Sequence, residues 1–455
     1  MGRNNRQRRA AKQRKRAGGH ESTRRPTTHE SGRGYNDHDG WGSPLDGARL
    51  LVDSLVVLPH VTADDLRQGV DRLDVLPSPG GRHSGSLIVE NVLRQLLEHL
   101  WRFGWQPADV ARVTRELGLL HRALVVDAIA AQHLAYDGVE LHPVWAGQLA
   151  DLGVERWWAP TPTWLEQRAE RAGVSRPATL LAAVELARRL ARLGSLPLLL
   201  PPPGAPPTWN ADTGVDQRVL AKIRALLAKA ESTTFPDEAE ALTSKAQELM
   251  SRHAVDAALL HGNRARPIGR RVGIDDPYAE AKALLLQVVA GANGCRAVWS
   301  KDISASTVVG YSDQLALVEL LYTSLLTQGT TSLVAAGRSD RSRRQPGFRR
   351  AFLHAYAIRL GERLDETERR VEAEAVDEHG SGLVPVLAAR RSAVDEAVDE
   401  LFPRVEKGRG ARFDVRGWVA GQKAADQADL GHRGRVAEAP DGQLLLPGNE
   451  DALAS

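Results

Sequence analysis

"KIRALLAKAESTTFPDEAEALTSKAQELMSRHAV", residues 222–255, holds two amphipathic runs on either side of a break at Ser232–Pro236. Leu220, Ile223, Leu227 and Ala230 recur at helical spacing and mark the buried face of a first helix. Leu242, Ala246, Leu249 and Met250 do the same for a second. Between them Thr234 can serve as an N-cap, Pro236 occupies a first turn where its missing N–H costs nothing, and Asp237 and Glu238 suit the positive end of a helix. The two faces can close on one another, so the stretch predicts a helical hairpin.

The rest of the chain is read outward from that hairpin. At 455 residues it is long enough for two or three domains, each with its own core. Hydrophobic residues make up 42% and aromatics 5%, which points to cores of Leu, Ala and Val and to a mainly α, multidomain protein. Residues 1–42 are rich in Arg, Gly, Ser, Asn and Thr and are expected to be a disordered basic tail. Residues 43–194 read as an N-terminal helical domain, clearest in "SLIVENVLRQLLEHLWRFGW", where Ile88, Val92, Leu96 and Leu100 form one stripe.

"LPLLLPPPGAPP" cannot be helical over its prolines, and residues 195–214 are expected to be an extended linker. The hairpin follows at 215–262 and a small α+β domain at 275–430. Within it "CRAVWS" and "STVVGY" are the strand candidates, and strand is expected here alone. Ser312 or Asp313 can cap a helix through "QLALVELLYTSLLTQG". A second long helix starts near Pro346 with Phe348, Phe352, Tyr356, Leu360 and Leu364 at every fourth position, a core stripe. Gly417, Gly421, Ala424 and Ala428 leave one face of a late helix bare for close approach of another backbone. Residues 431–455 read as a loose tail.

The hairpin residues closely resemble the bacterial and phage domain-of-unknown-function family 2786, whose pattern is K-I-x-x-L-L-x-x-A-E followed by E-A-x-x-A-x-x-K-A-x-x-L-M. Lys222, Ile223, Leu226, Leu227, Ala230, Glu231, Glu238, Ala239, Leu242, Lys245, Ala246, Leu249 and Met250 carry the match. The segment from Pro277 to Leu430 resembles the companion domain that often follows this hairpin, and the N-terminal part resembles actinobacterial members. The resemblance implies an arrangement and brings no catalytic residue with it.

Charge points to a partner more clearly than to a reaction. Arg3, Arg6, Arg8, Arg9, Lys12, Arg14, Lys15 and Arg16 occur with no acid among them; subtracting these eight from the net +3 leaves −5 for the remainder. Arg338, Arg341, Arg343, Arg344, Arg349 and Arg350 gather around a Pro-Gly break, and Lys407, Arg409 and Arg412 form a second patch. Guanidinium groups engage phosphate oxygens in pairs, so the tail and both patches are candidate nucleic-acid contacts. Such runs also occur as solvated connectors. "GWQPADVARVTRELG" opens a helix but lacks an evident recognition helix, which favours ordinary packing over a helix-turn-helix.

The chain contains no G-x-x-x-x-G-K-[ST] loop, G-x-S-x-G elbow or His-Glu-x-x-His pair, and Cys295 is its one cysteine. No catalytic residue, metal site or cofactor is assigned from sequence. With no apolar run long enough to span a membrane, a soluble cytoplasmic protein is expected. The leading expectation is a nucleic-acid-associated accessory protein. The alternatives are a hydrolase of a phosphate-containing substrate, with a pocket between the hairpin and the α+β segment, and a protein-interaction adaptor. A contiguous basic face, a concave pocket with convergent polar groups, and an exposed apolar groove would respectively mark the three.

Overall fold

The computed structural model describes residues 44–78, 83–205, 217–233, 236–261, 265–339, 341–403 and 415–427. The chain divides into Met1–Pro44 and Leu45–Ser455, and the elements below belong to the second unit from Leu45 onward. It is mainly α, with one small antiparallel sheet. No helix is long and apolar enough to cross a membrane among the described residues.

Helices α1 (Pro44–Val57), α2 (Ala63–Asp74), α3 (Ser84–Arg102), α4 (Pro107–Val113), α5 (Leu119–His133), α6 (Pro143–Asp151), α7 (Trp164–Ala172) and α8 (Arg176–Ala191) enclose one hydrophobic core. Their ends follow local chemistry. Thr62 and Thr163 form capping boxes with Asp65 and Glu166, and Ser175 caps α8. In α3 the buried stripe lies one residue from the expected one: Val89, Val92, Leu93, Leu97, Leu100 and Trp101 are buried, whereas Ile88 and Leu96 are half-buried. Trp101 lies on this buried face, and its indole donates to Gln132 of α5 across the core.

A second core is built by α9 (Gln217–Ser232), α10 (Pro236–His261), α11 (Ala279–Gly291), α12 (Ser312–Ser339), α13 (Pro346–His379) and α15 (Val415–Gln427). The hairpin of α9 and α10 closes as its pattern requires, with Leu220, Ile223 and Leu227 in one core with Ala246 and Met250, and Ala230 buried as well. Leu242 and Leu249 are only half-buried, because the centre of α10 is held by Thr243 and Gln247, both sealed from solvent. Thr234 lies outside the described residues. The α13 stripe Phe348, Phe352, Tyr356, Leu360 and Leu364 is buried throughout. Gly417 and Gly421 bring α15 against the backbone of α13, where a Cβ would strike the carbonyls of Phe348 and Phe352; Ala428 lies outside the described residues.

The sheet corrects the expectation that strand is confined to two runs. Besides β2 (Arg296–Ser300) and β3 (Ala305–Gly310), a third strand, β1 (Ile268–Gly273), pairs antiparallel with β3, giving the order β1-β3-β2. Its sequence, IGRRVG, has poor strand propensity, and tertiary contacts override that. Gly269 packs against the Leu199 side chain, which would have to shift to admit a Cβ. The Arg271 guanidinium, only 3% exposed, donates to Asp109 Oδ2 at 2.5 Å, Gly104 O at 2.8 Å and Pro197 O at 2.7 Å. Burial pushes the Asp109 carboxyl up and Arg271 opposes the shift. This ion pair ties β1 to α4 and to the proline-rich segment, whose residues up to Ala205 run without helix. The "GWQPADV" turn therefore packs: Gln106 and Asp109 are buried and offer no exposed base-reading face.

Helix α14 (Leu383–Leu401) covers the other side of β3, with Val394 against Val309 and Tyr311. Val308 faces the second core, so β3 lies between that core and α14. Helix α12 runs ten residues beyond the expected end at Gly329, to Ser339.

Candidate functional site

Between the hairpin, the turn after α11, the start of α12 and the α13–α14 pair lies a small open cleft whose solvent-accessible interior is about 60 Å3. Ser251, Ala254 and Val255 of α10 form one wall, and Val371 of α13 with Leu387 of α14 forms the facing apolar wall. The floor is the turn after α11, where Gly294 at φ +67° reverses the chain into β2 beneath Gln314.

Two carboxyls and two guanidiniums converge here from two helices. Glu368 and Glu372 stand one turn apart on α13, and Arg390 and Arg391 are neighbours on α14. Arg391 Nη2 donates to Glu372 Oε2 at 2.7 Å and to Glu368 Oε1 at 3.3 Å, so one guanidinium serves two carboxyls. Burial pushes the Glu368 carboxyl up from 4.5 to about 7; Arg391 opposes this, while Glu372 and Asp365 add like charge. Such a group exchanges a proton near neutral pH, as a general acid or base requires.

Arg390 is 5% exposed and stacks on Tyr311, its guanidinium carbon 3.5 Å from the ring centroid. Its Nη1 is buried with no hydrogen-bond partner. Behind the floor runs a polar seam: Gln247 Nε2 donates to Asn293 Oδ1 at 3.3 Å and to Ala292 O at 3.4 Å, while Gln247 Oε1 has no partner. Cys295, next to this seam, is sealed in the core, and burial pushes its thiol up to about 12, which makes it inert as a nucleophile near neutral pH. Among the described residues no three His, Cys, Asp or Glu side chains are grouped to hold a metal ion.

The arginines selected from sequence lie elsewhere. Arg3 to Arg16 and the Lys407, Arg409 and Arg412 patch fall outside the described residues. The expected loop at 338–350 is short: Arg338 lies in the last turn of α12, Arg341–Arg344 form a 3-10 turn, and Arg349 and Arg350 already belong to α13. Arg344 Nε donates to Gly337 O at 2.8 Å, Arg350 Nη2 pairs with Glu280 Oε2 at 2.7 Å, and Arg343 and Arg349 are half-buried. These side chains gather at one helix junction, and Arg344 and Arg350 are exposed there despite their partners. On the hairpin, Arg252 pairs with Glu248 at 3.2 Å as the spacing predicts, and also with Glu374 at 3.1 Å, which fastens α10 to α13 beside the cleft.

Sequence reading missed Glu368, Glu372, Arg390 and Arg391. A signal for the first two was present: the every-fourth stripe of α13 continues from Leu364 to Glu368 and Glu372, placing carboxyls on a face otherwise reserved for core.

Residues 218–257 match the model of a family described as a protein of unknown function, DUF2786. That stretch is α9 and most of α10, and it includes the cleft residues Ser251, Ala254 and Val255. Neither the curated proteins nor the solved structures contain a match to the chain.

Proposed function

We propose that this chain binds a small molecule in the cleft between the hairpin and α13–α14, and that it is a hydrolase or a ligand-responsive protein acting through that site. The observation that carries the reading is the convergence of Glu368, Glu372, Arg390 and Arg391 on a concave, otherwise largely apolar surface. In the hydrolase form, Glu368 exchanges the proton and Arg391 sets its charge. Residues 275–430 then act as the companion domain of a bacterial or phage hairpin of this family, in the cytoplasm.

Saturation-transfer NMR with a set of amphipathic fragments tests the reading, comparing the full chain with Ala254→Trp, which fills the cleft from its half-buried wall. Fragments that bind the parent and are lost on the variant, with melting temperature unchanged, support it. Equal fragment binding to both proteins, or none to either, overturns it.

A second reading, association with nucleic acid, is favoured by the exposed Arg344 and Arg350 at the α12–α13 junction. Together with the basic tail they supply a sequence-independent attraction to phosphate. Both readings can hold for one chain, since the cleft and the junction use different residues.

A further inference from the structure

Several buried polar atoms have no hydrogen-bond partner, among them the neutral hydroxyls of Ser86 and Ser306 and the Nε atoms of Arg349 and Arg370. Arg390 Nη1 differs from these in its place: it belongs to a permanently charged group that lines the open cleft. A buried charged donor left unpaired is costly, and a ligand oxygen that meets it removes that cost on binding.

The stack on Tyr311 fixes the plane of the Arg390 guanidinium, so its N–H edge is pre-oriented for a planar or tetrahedral oxyanion. Arg391 stands next to it but is already committed to Glu368 and Glu372. Arg390 has no such acid, which leaves the group of four short of one negative charge whenever Glu368 holds its proton. Around it, Ala254, Val255, Val371 and Leu387 offer apolar surface and no further cation.

We propose that the ligand of this cleft is an amphipathic oxyanion, a carboxylate or phosphate monoester on a short apolar chain or ring, whose anionic head pairs with Arg390 while its apolar part lies against Val255, Val371 and Leu387. This rests on the reading of the cleft as a small-molecule site and names the chemical class that the site selects. Arg390 is the specificity-determining residue, and the apolar walls supply affinity that does not depend on charge.

Isothermal titration of the full chain with hexanoate, butyl phosphate and hexanol tests the proposal. At least one of the two anions binds more tightly than hexanol, and Arg390→Gln lowers that anion's affinity about tenfold to a hundredfold while leaving hexanol unchanged. The stronger of hexanoate and butyl phosphate identifies the head group. Arg390→Lys keeps the charge but not the fork, and retains a reduced preference for the anion, which separates recognition from support of the fold should the Gln variant fail to fold. Anions and hexanol binding alike to the parent, or an anion preference that survives in Arg390→Gln, overturns the assignment of Arg390 but leaves the cleft as a small-molecule site. Fragment binding lost in Ala254→Trp, with none of the three titrants bound, overturns the ligand class alone. Absence of both kinds of binding overturns the cleft reading itself.

Discussion

Glu368→Gln turns the electrostatics of the cleft into a stability measurement. Carrying a carboxyl from 4.5 to about 7 corresponds to roughly 3 kcal/mol disfavouring the ionised folded form. The side chain is 23% exposed, so solvent screening removes little of this. The sign follows from which state holds the proton more tightly. The folded protein does, so protonation of Glu368 favours the fold; that contribution is present in full below about pH 4.5 and is lost as pH rises through about 7. Gln has the shape of the protonated acid and never ionises. Arg391 keeps its bond to Glu372 at 2.7 Å in the variant, so the neutral side chain leaves no unpaired cation.

The difference in melting temperature between Glu368→Gln and the parent is therefore about 1 °C at pH 5 and rises to about 3 °C in favour of the variant at pH 8, taking an unfolding entropy of about 2.1 cal/mol/K per residue. Scanning calorimetry of both proteins at half-unit pH steps reads it. Glu90, which burial also pushes up to about 7, titrates in the same window but is common to both proteins and cancels. A difference that stays flat between pH 5 and pH 8, or a variant less stable at pH 8, refutes the reasoning. A stabilising loss of this kind marks a residue held against the interests of the fold, as a functional group is.

The remaining predictions concern the frame and the tail. Leu227→Asp, at a position 1% exposed in the hairpin core, is expected to abolish cooperative melting, whereas Leu249→Asp, half-buried, lowers the melting temperature without abolishing it; equal melting of the Leu227 variant and the parent removes the assigned face. Lys229→Ala breaks an exposed pair with Glu238 at 2.7 Å and is expected to cost less than about 1 kcal/mol in denaturant unfolding. Arg271→Ala leaves Asp109 buried without its cation and is expected to cost roughly 3–5 kcal/mol, most of it relieved by adding Asp109→Asn; a double variant no better than the single removes the ion pair as the cause. Deleting residues 1–17 is expected to flatten the salt dependence of binding to two unrelated oligonucleotides, and equal slopes before and after deletion exclude the tail as a phosphate contact.

Periodicity made the helices legible where one face is uniformly apolar. The stripe from Phe348 to Leu364 and the α9 face from Leu220 to Ala230 lie where spacing put them. It failed where the interior is polar. Thr243 and Gln247 occupy the centre of α10 because the α11 turn and α12 offer them hydrogen-bond partners, and no rule on a single helix contains those partners. β1 failed for the same reason: its two glycines and Arg271 make sense only once α4 and the proline-rich segment stand against it, and Arg270 only once Glu319 of α12 does. The charged residues of the cleft are separated by up to 23 positions in sequence and meet only because α14 folds back along α13. By contrast, the arginines of 338–350 are conspicuous as a run, yet helix ends and neighbouring acids account for two of them.

The family match and the candidate chemistry fall on different parts of one site. The matched hairpin supplies a wall, through Ser251, Ala254 and Val255, and a fastening, through the pair of Arg252 with Glu374 on α13. Both carboxyls and both guanidiniums of the cleft, at 368, 372, 390 and 391, lie beyond the matched residues. A hairpin alone can therefore hold the shape of the cleft but cannot set its charge. In this chain the choice of ligand rests with α13 and α14, and substitutions in α10 are expected to change affinity for apolar and anionic ligands together, whereas those at Arg390 change the ratio between them. Comparing Val255→Ala with Arg390→Gln on hexanoate and hexanol measures that division directly. A Val255 variant that shifts the ratio as much as the Arg390 variant would show that the hairpin takes part in recognition and does more than bound the space.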